Sequence, residues 1–197
     1  MEQHSPDDAL TQQRAILEGQ LRDCYGRVVY SHKTHEKCAD ILLSRLGTIK
    51  LWQIILSSVT TVGFIVAVFG AGAISAGVGI GVSGVLLVLN AYTKNYDLGE
   101  LAQKHRQAAC DLWIIREKYL SLLVDFRIEG RDLEGVQKRR DELAEELHSI
   151  YNGAPNTTLK GYRKAQEALK KLEDMTFSDA EIDAFLPKGL RRGEAPR

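Results

Sequence analysis

Residues 51–93 read LWQIILSSVTTVGFIVAVFGAGAISAGVGIGVSGVLLVLNAYT, and none of these 43 side chains is charged. A membrane-spanning helix needs about 20 mainly apolar residues, so the stretch is long enough for two spans joined by a very short turn. We place the turn at Gly70–Ala73, with spans at 49–69 and 74–92. The alternative is a buried hairpin inside a soluble bundle, but buried helices of soluble proteins rarely stay uncharged over such a length.

Charge divides the chain into two unlike parts. The 197 residues include 26 Lys and Arg against 26 Asp and Glu, and all of them lie outside residues 51–93. This balance gives no argument for a broad nucleic-acid surface. Basic residues flank both ends of the apolar stretch, whereas the short turn has no charge. The positive-inside rule therefore places both termini in the cytoplasm, where the three cysteines would remain reduced.

The rest of the chain is predicted to be helical, because no proline occurs between Asp7 and Ala154. On both sides of the hairpin, apolar residues recur at spacings of three and four or their multiples, which is typical of helices in a bundle or coiled coil. The stripe before the hairpin is Leu10, Leu17, Leu21, Cys24, Val28, His35, Cys38 and Leu42. The stripe after it is Leu98, Leu101, His105, Ala108, Leu112, Ile115, Tyr119, Leu122 and Phe126. We expect both membrane helices to continue into the cytoplasm and to pack on each other there.

Shorter helices are predicted beyond Gly130, near 132–151 and 158–173. Ser178 and Glu181 form the capping box of a short last helix. The fold class is all-α: a two-span hairpin extended by long cytoplasmic helices into a bundle that we expect to be oligomeric. The predicted parts are an N-terminal cytoplasmic helix (1–48), a transmembrane hairpin (49–93), a cytoplasmic bundle (94–186) and a flexible tail (187–197).

Polar side chains recur on one face of the first span. They are Gln53, Ser57, Thr60 and Thr61, with Phe64 next along the same face. One interpretation is hydrogen bonding between helices, because amides and hydroxyls in hydrocarbon seek partners. The other is the wall of a water-filled pore, with Phe64 as a hydrophobic constriction. Two helices cannot enclose a conduit, so a pore would require several copies of the chain.

The second span is rich in glycine. Ala73, Gly77 and Gly81 recur every four residues and predict a surface on which another helix packs closely. Residues 79–84 also match G-x-G-x-x-G, but the strand and acidic residue of a dinucleotide site are missing, so we favour packing.

Charged and metal-ligating residues give few indications of chemistry. Basic residues cluster at Lys138, Arg139, Arg140, Arg163 and Lys164. Their acidic neighbours favour an ordinary solvated surface, although these are the candidates if a phosphate-bearing ligand binds. His32, His35 and Cys38 have a spacing that could hold a metal, but the bundle stripe makes packing the default. We find no catalytic constellation and predict no enzyme activity, no cofactor and no metal site.

Several helical motifs resemble a known family when they are taken in order. They are Leu98–Ala109 (LGELAQKHRQAA), Leu112–Tyr119 (LWIIREKY), Arg140–Leu143 (RDEL) and Ile150–Pro155 (IYNGAP), all after a two-span hairpin. The arrangement is similar to the SLATT family of two-transmembrane effectors associated with prokaryotic nucleotide-signalling systems. The resemblance covers about residues 10–175, and none of its motifs is catalytic.

The resemblance implies a multi-pass protein of the cell inner membrane that acts in antiviral, abortive-infection defence. Such an effector would form a homo-oligomeric ion-conducting pore, gated by a nucleotide or oligonucleotide from a companion nucleotidyltransferase. A tetramer is the assembly we favour. The alternative is a non-conducting membrane anchor or scaffold that recruits partners through its cytoplasmic coiled-coil helices.

Overall fold

The computed structural model describes residues 6–69, 73–128, 132–172, 177–187 and 191, and in these residues it contains helices and no strand. Six helices follow one another along the chain. They are α1 (Pro6–Phe69), α2 (Ala73–Asn95), α3 (Leu98–Arg127), α4 (Leu133–Gly153), α5 (Leu159–Lys171) and α6 (Asp179–Phe185). The all-α class expected from the sequence is confirmed. Ala73, the last residue of the expected turn at 70–73, is the first residue of α2, whereas residues 70–72, Gly130 and most of the expected tail lie outside the described residues.

Helix α1 is a single helix of 64 residues. At a rise of about 1.5 Å per residue it is roughly 96 Å long, about three times the thickness of a bilayer's hydrocarbon core. Two helices of the described residues are long and apolar enough to cross a membrane, and the most apolar window of each is not buried by the rest of the chain. The apolar C-terminal part of α1 packs on α2, which gives the expected hairpin.

The second membrane helix does not continue into the cytoplasm as the sequence analysis expected. Helix α2 ends at Asn95, and Asp97 caps a new helix by accepting a hydrogen bond from the backbone N–H of Glu100 at 2.8 Å. An aspartate at this position competes with the helix for backbone donors and favours a helix start. Only α1 therefore joins the hairpin to the bundle outside it as one uninterrupted helix in the described residues.

The core of the bundle outside the hairpin is formed by α1 and α3, which make the most extensive contact among the described helices. Most residues of the two predicted stripes are buried there, and Leu21, Val28, Leu112 and Tyr119 have no more than 1% of their surface exposed. Leu10 and Leu101 are exceptions and lie exposed. The spacing of three and four thus predicted the buried faces, because it marks one side of a helix.

Helices α4 and α5 cover the core from two directions. Val136 and Leu143 of α4 are fully buried in the cluster between α1 and α3. Helix α5 packs against α1, where Gly161 lies directly over Cys38. The capping box of Ser178 and Glu181 is present at the start of α6, as predicted.

Replacing Gly161 with alanine should destabilise the bundle. The new Cβ would overlap Cys38 Sγ and lie 3.3 Å from Thr158 Oγ1, so α5 would have to move away from α1. Overpacking of this kind costs about 1–3 kcal/mol, which thermal unfolding followed by helical circular dichroism would detect. Gly26→Ala is the matched control: a Cβ at Gly26 has no atom within 4 Å, so better helix propensity should leave stability unchanged or slightly higher. Equal stability of the two variants would contradict the close contact.

Candidate functional site

The two membrane helices meet along a narrow seam. On α1 the half-buried positions are Gln53, Leu56, Thr60 and Gly63, and on α2 they are Gly79, Val82, Leu86, Leu89 and Thr93. Both sets follow spacings of three and four, so each helix presents one side to the other. The other described positions of the two spans lie outside the seam and are mostly exposed.

An amide pair joins the helices at the end of the seam nearest the bundle. Gln53 Nε2 donates a hydrogen bond to Asn90 Oδ1 at 2.8 Å and lies 3.4 Å from Thr93 Oγ1. Such bonds between membrane helices contribute about 0.6–2 kcal/mol each. For Gln53 the structure thus shows the interhelical hydrogen bond that the first interpretation of the polar face expected.

A polar groove opens beside this pair, on one flank of the hairpin. It has a volume of about 500 Å³. Its walls are Lys50, Gln53, Ile54, Ser57, Ser58, Leu86 and Asn90. The sequence analysis had not assigned Lys50, Ser58 and Asn90 to this site. Asn90 could have been found, because it is the one side-chain amide in the apolar part of α2.

The other candidates on the polar face do not all lie together. Thr60 is on the seam, where its hydroxyl donates to the Leu56 carbonyl at 2.9 Å. Thr61 donates in the same way to Ser57 and is exposed. Phe64 has 70% of its surface exposed, two helical turns beyond the groove's Ser57. Ser57, Thr61 and Phe64 therefore form an outward flank that only a neighbouring molecule could cover.

The small-residue ladder on α2 faces away from α1. Gly77 and Gly81 are exposed, and no described atom lies within 4 Å of a Cβ placed at either one. Ala73 begins α2, but its side chain lies outside the described residues. Within one chain the ladder is thus not used for the hairpin's own packing. It remains a prediction for contact with another helix.

The predicted basic candidates are spread over α4 and α5. Arg139 lies 2.7 Å from Glu142, and Arg140 contacts both Asp141 at 2.7 Å and Gln20 of α1 at 2.7 Å. Lys138, Arg163 and Lys164 are exposed. The ion pairs of Arg139 and Arg140 fit the solvated helix surface that the sequence favoured.

Two histidines meet in the core between α1 and α3. The Nδ1 atoms of His35 and His105 are 3.0 Å apart, and each residue has no more than 3% of its surface exposed. One ring must donate and the other must accept, so the pair requires one Nδ1 proton in total. His32, one turn earlier, has a buried Nδ1 with no hydrogen-bond partner among the described residues.

The environment keeps these histidines neutral. Burial, assisted by His105 and then His32, lowers the pKa of His35 to about 4. Burial also lowers the pKa of His105, and it lowers the pKa of His32 despite the opposing effect of Glu36. No group of three His, Cys, Asp or Glu suited to a metal occurs in the part of the chain that the structure describes. Cys38 instead lies 3.6 Å from Thr158 Oγ1, on the side of α5.

A cavity in the bundle lies under the loop between α4 and α5. Its volume is about 350 Å³, and its walls include Tyr30, Tyr151, Tyr162, Ser31 and Asn156. Ser31 Oγ and the Tyr151 hydroxyl are 2.8 Å apart, and the rings of Tyr30 and Tyr162 are stacked at 6.0 Å. The cavity has no charged side chain in its walls, so it offers no cation to a phosphate.

The sequence of this chain was compared with models of known protein families, and one of them matches. The model for "SMODS and SLOG-associating 2TM effector domain family 4" matches residues 17–181. The chain belongs to this family. The resemblance drawn from the helical motifs is thereby confirmed, and the chain is a two-transmembrane SLATT effector associated with antiviral nucleotide signalling. No curated protein and no solved structure matches significantly.

The histidine pair should make the SLATT bundle less stable in mild acid. The folded-state pKa of His35 is depressed, so the unfolded chain binds protons more readily. The contribution of the neutral pair to the free energy of unfolding is fully present above pH 6.5 and is lost as the pH falls from 6.5 towards 4. We therefore expect the unfolding temperature in detergent to fall as the pH is lowered from about 7.5 to about 5.

The double variant His35→Leu/His105→Leu should lose a large part of this pH dependence, because neither side chain can then take up a proton; His32, whose pKa burial also lowers, should account for the remainder. His148→Gln changes an exposed histidine on α4 and serves as the control. If the double variant remained as sensitive to acid as the parent, the pair would not be the source of the effect.

Proposed function

We propose that this SLATT protein is a pore-forming effector, in which several copies of the hairpin enclose an ion path. The observation that carries the proposal is the polar groove with Gln53, Ser57 and Asn90 in its walls. Gln53 and Asn90 hydrogen-bond to each other, and Ser58 to the Ile54 carbonyl, but the remaining donors and acceptors of these side chains and the charge of Lys50 would be costly to expose to hydrocarbon. Ile54 and Leu86 add apolar walls, yet the groove is better suited to water and to neighbouring copies than to lipid.

The assembly has to be a homo-oligomer, since two helices cannot surround a conduit. The exposed faces on either side of the seam suit the two kinds of contact that a ring needs. The flank of Ser57, Thr61 and Phe64 would face the path, and the ladder of Gly77 and Gly81 would allow a neighbouring helix to approach closely. Phe64 would form the hydrophobic constriction. Four copies are the number we favour.

Gating would pass through α1. This helix is continuous from the bundle into the membrane, whereas the other connection is interrupted at Tyr96 and Asp97. A nucleotide or oligonucleotide made by a companion nucleotidyltransferase would bind one arrangement of the bundle more tightly and shift the closed–open equilibrium. The basic residues flanking the hairpin would keep both termini in the cytoplasm, at the inner membrane. The mechanism involves no catalytic step.

A scaffold without conduction is the second candidate, and one surface favours it. Leu120, Val124 and Ile128 lie four residues apart at the end of α3, and each has at least 41% of its surface exposed. An exposed apolar stripe of this kind can dock a partner helix. The two functions differ in whether the groove affects ion flux.

Ion flux through liposomes tests the pore. Ser57→Trp fills the groove with an indole ring and should reduce flux at least about tenfold if the groove lines the path, because a pore narrowed by a large apolar side chain excludes water. Phe64→Ala should increase flux by removing the constriction. The measurement is fluorescence of a potassium- or proton-sensitive dye inside liposomes, with and without candidate oligonucleotides.

Leu87→Trp is the control for Ser57→Trp. Leu87 is an exposed residue of α2 that lies neither in the groove nor on the face of Gly77 and Gly81, so the same bulk should leave flux unchanged. Oligomer size is checked by crosslinking in each variant. Unchanged flux in Ser57→Trp with the assembly intact would favour the scaffold.

A further inference from the structure

A groove of about 520 Å³ runs between α1 and α3 in the cytoplasmic bundle. Helix α1 contributes His32, Lys33, Glu36, Lys37 and Asp40, and α3 contributes Arg106, Ala109, Cys110, Trp113 and Ile114. The volume is in the range of pockets that hold small ligands. Neither the family assignment nor the proposed pore assigns a role to it.

A residue of the groove wall carries an unsatisfied polar atom. His32 has only 7% of its surface exposed, and its Nδ1 is the one buried side-chain nitrogen or oxygen without a hydrogen-bond partner in the described part of the chain. Leaving such an atom unpaired costs about 1–3 kcal/mol. Because Nδ1 is itself shielded from solvent, a ligand in the groove would pair with it only after the imidazole ring rotates, and would then recover that cost.

The charged residues of the groove favour an anion. Lys33, Lys37 and Arg106 exceed the two acids, Glu36 and Asp40, by one positive charge, and Lys33 lies 2.9 Å from Glu36 in an ion pair. Arg106 lies 3.7 Å from Asp40, and both side chains are 56% exposed. Pairs this open to solvent contribute little, so the guanidinium can turn to a phosphate, for which its planar donors are well suited.

The groove also has an aromatic wall. Trp113 has 48% of its surface exposed, and Ile114 beside it has 47%. An indole face of this kind can stack on a nucleobase, which contributes about 1–3 kcal/mol per base in single-stranded complexes. The tyrosine cavity under the α4–α5 loop has rings but no cation, so the α1–α3 groove is the better match for a ligand with both a phosphate and a ring.

The position of the groove argues against a lipid headgroup. Asp40, its nearest α1 residue to the membrane, precedes the start of the uncharged stretch at Leu51 by 11 residues. At about 1.5 Å per residue this separates them by roughly 16 Å, which exceeds the roughly 5–8 Å depth of a headgroup layer. The occupant should therefore come from solution.

We propose that the α1–α3 groove binds a nucleotide, with phosphate at Arg106 and Lys37, the base on Trp113 and a hydrogen bond to His32. The inference rests on the proposed gating by a nucleotide and gives that signal a site. It also places the ligand against α1, the helix that reaches the membrane uninterrupted. The basic cluster at Lys138–Arg140 is not needed for binding.

Trp113 and Cys110 provide direct readouts of binding. The chain has two tryptophans, so Trp52→Phe leaves Trp113 as the only one. In that background, ATP and 3′,3′-cyclic di-AMP are titrated against protein in nanodiscs while tryptophan fluorescence is recorded. We expect saturable quenching, together with slower maleimide labelling of the exposed Cys110 and unchanged labelling of Cys24. Adenosine or inorganic phosphate alone should have at least about tenfold weaker effects, because each supplies half of the contacts.

Matched variants locate the site. Arg106→Ala and Lys37→Ala should each weaken nucleotide binding at least about tenfold. Lys104→Ala removes one positive charge from the same stretch of α3, outside this groove, and Lys138→Ala removes one from the basic cluster of α4. Both should bind as the parent does. Weakening of the same size in all four variants would indicate a diffuse charge effect and overturn the proposal.

Two further results would overturn it. One is the absence of quenching and of Cys110 protection by every nucleotide tested. The other is quenching of Trp113 by anionic lipid in the nanodisc without nucleotide, which would assign the groove to a headgroup. Neither result would affect the proposed pore, because flux through variants at Ser57 and Phe64 is measured independently of this groove. Conversely, binding without flux would retain the site and reject the pore.

Discussion

Helix α1 has to be stable both in the membrane and in the water-exposed bundle, and the rest of the molecule depends on this helix. Inside a membrane the backbone must be hydrogen-bonded within the helix, because hydrocarbon offers no partner. In the bundle outside the hairpin the same helix must bury one apolar stripe. Helix α1 meets both requirements without a break over Pro6–Phe69. The bundle and the hairpin are thus built on a common axis, and a displacement of one end of α1 has to be accommodated at the other.

The return path is built differently. Asp97 starts α3 anew, so the connection through α2 and α3 contains a bend that α1 lacks. Around α1 the buried surface is held by contacts of several kinds: aliphatic packing with α3, the neutral histidine pair, and the close approach of Gly161 over Cys38. These contacts tolerate little change, because a Cβ at Gly161 would overlap Cys38 and a charge on His35 would be buried. A bundle of this kind suits switching between two packed arrangements better than gradual deformation.

The proposed pore and the proposed nucleotide groove lie at opposite ends of this arrangement. The polar groove beside Gln53 and Asn90 is in the hairpin, and the groove beside His32 and Arg106 is in the bundle. Both have α1 as one wall. A ligand that separates or draws together α1 and α3 would therefore act on the helix that carries Ser57 and Phe64. The ring of neighbouring copies would convert that movement into opening or closing.

The uncharged run of residues 51–93 was sufficient to indicate the hairpin, and the spacing of three and four identified most of the buried faces, because burial along a helix has a fixed period. Single-residue interactions needed the tertiary structure. The partner of Gln53 is Asn90, 37 residues away, and no local pattern specifies it. The orphaned Nδ1 of His32 and the meeting of His35 with His105 likewise depend on how α3 is rotated against α1. Sequence periodicity identifies which side of a helix is apolar, whereas the three-dimensional packing decides which side chains that rotation brings together.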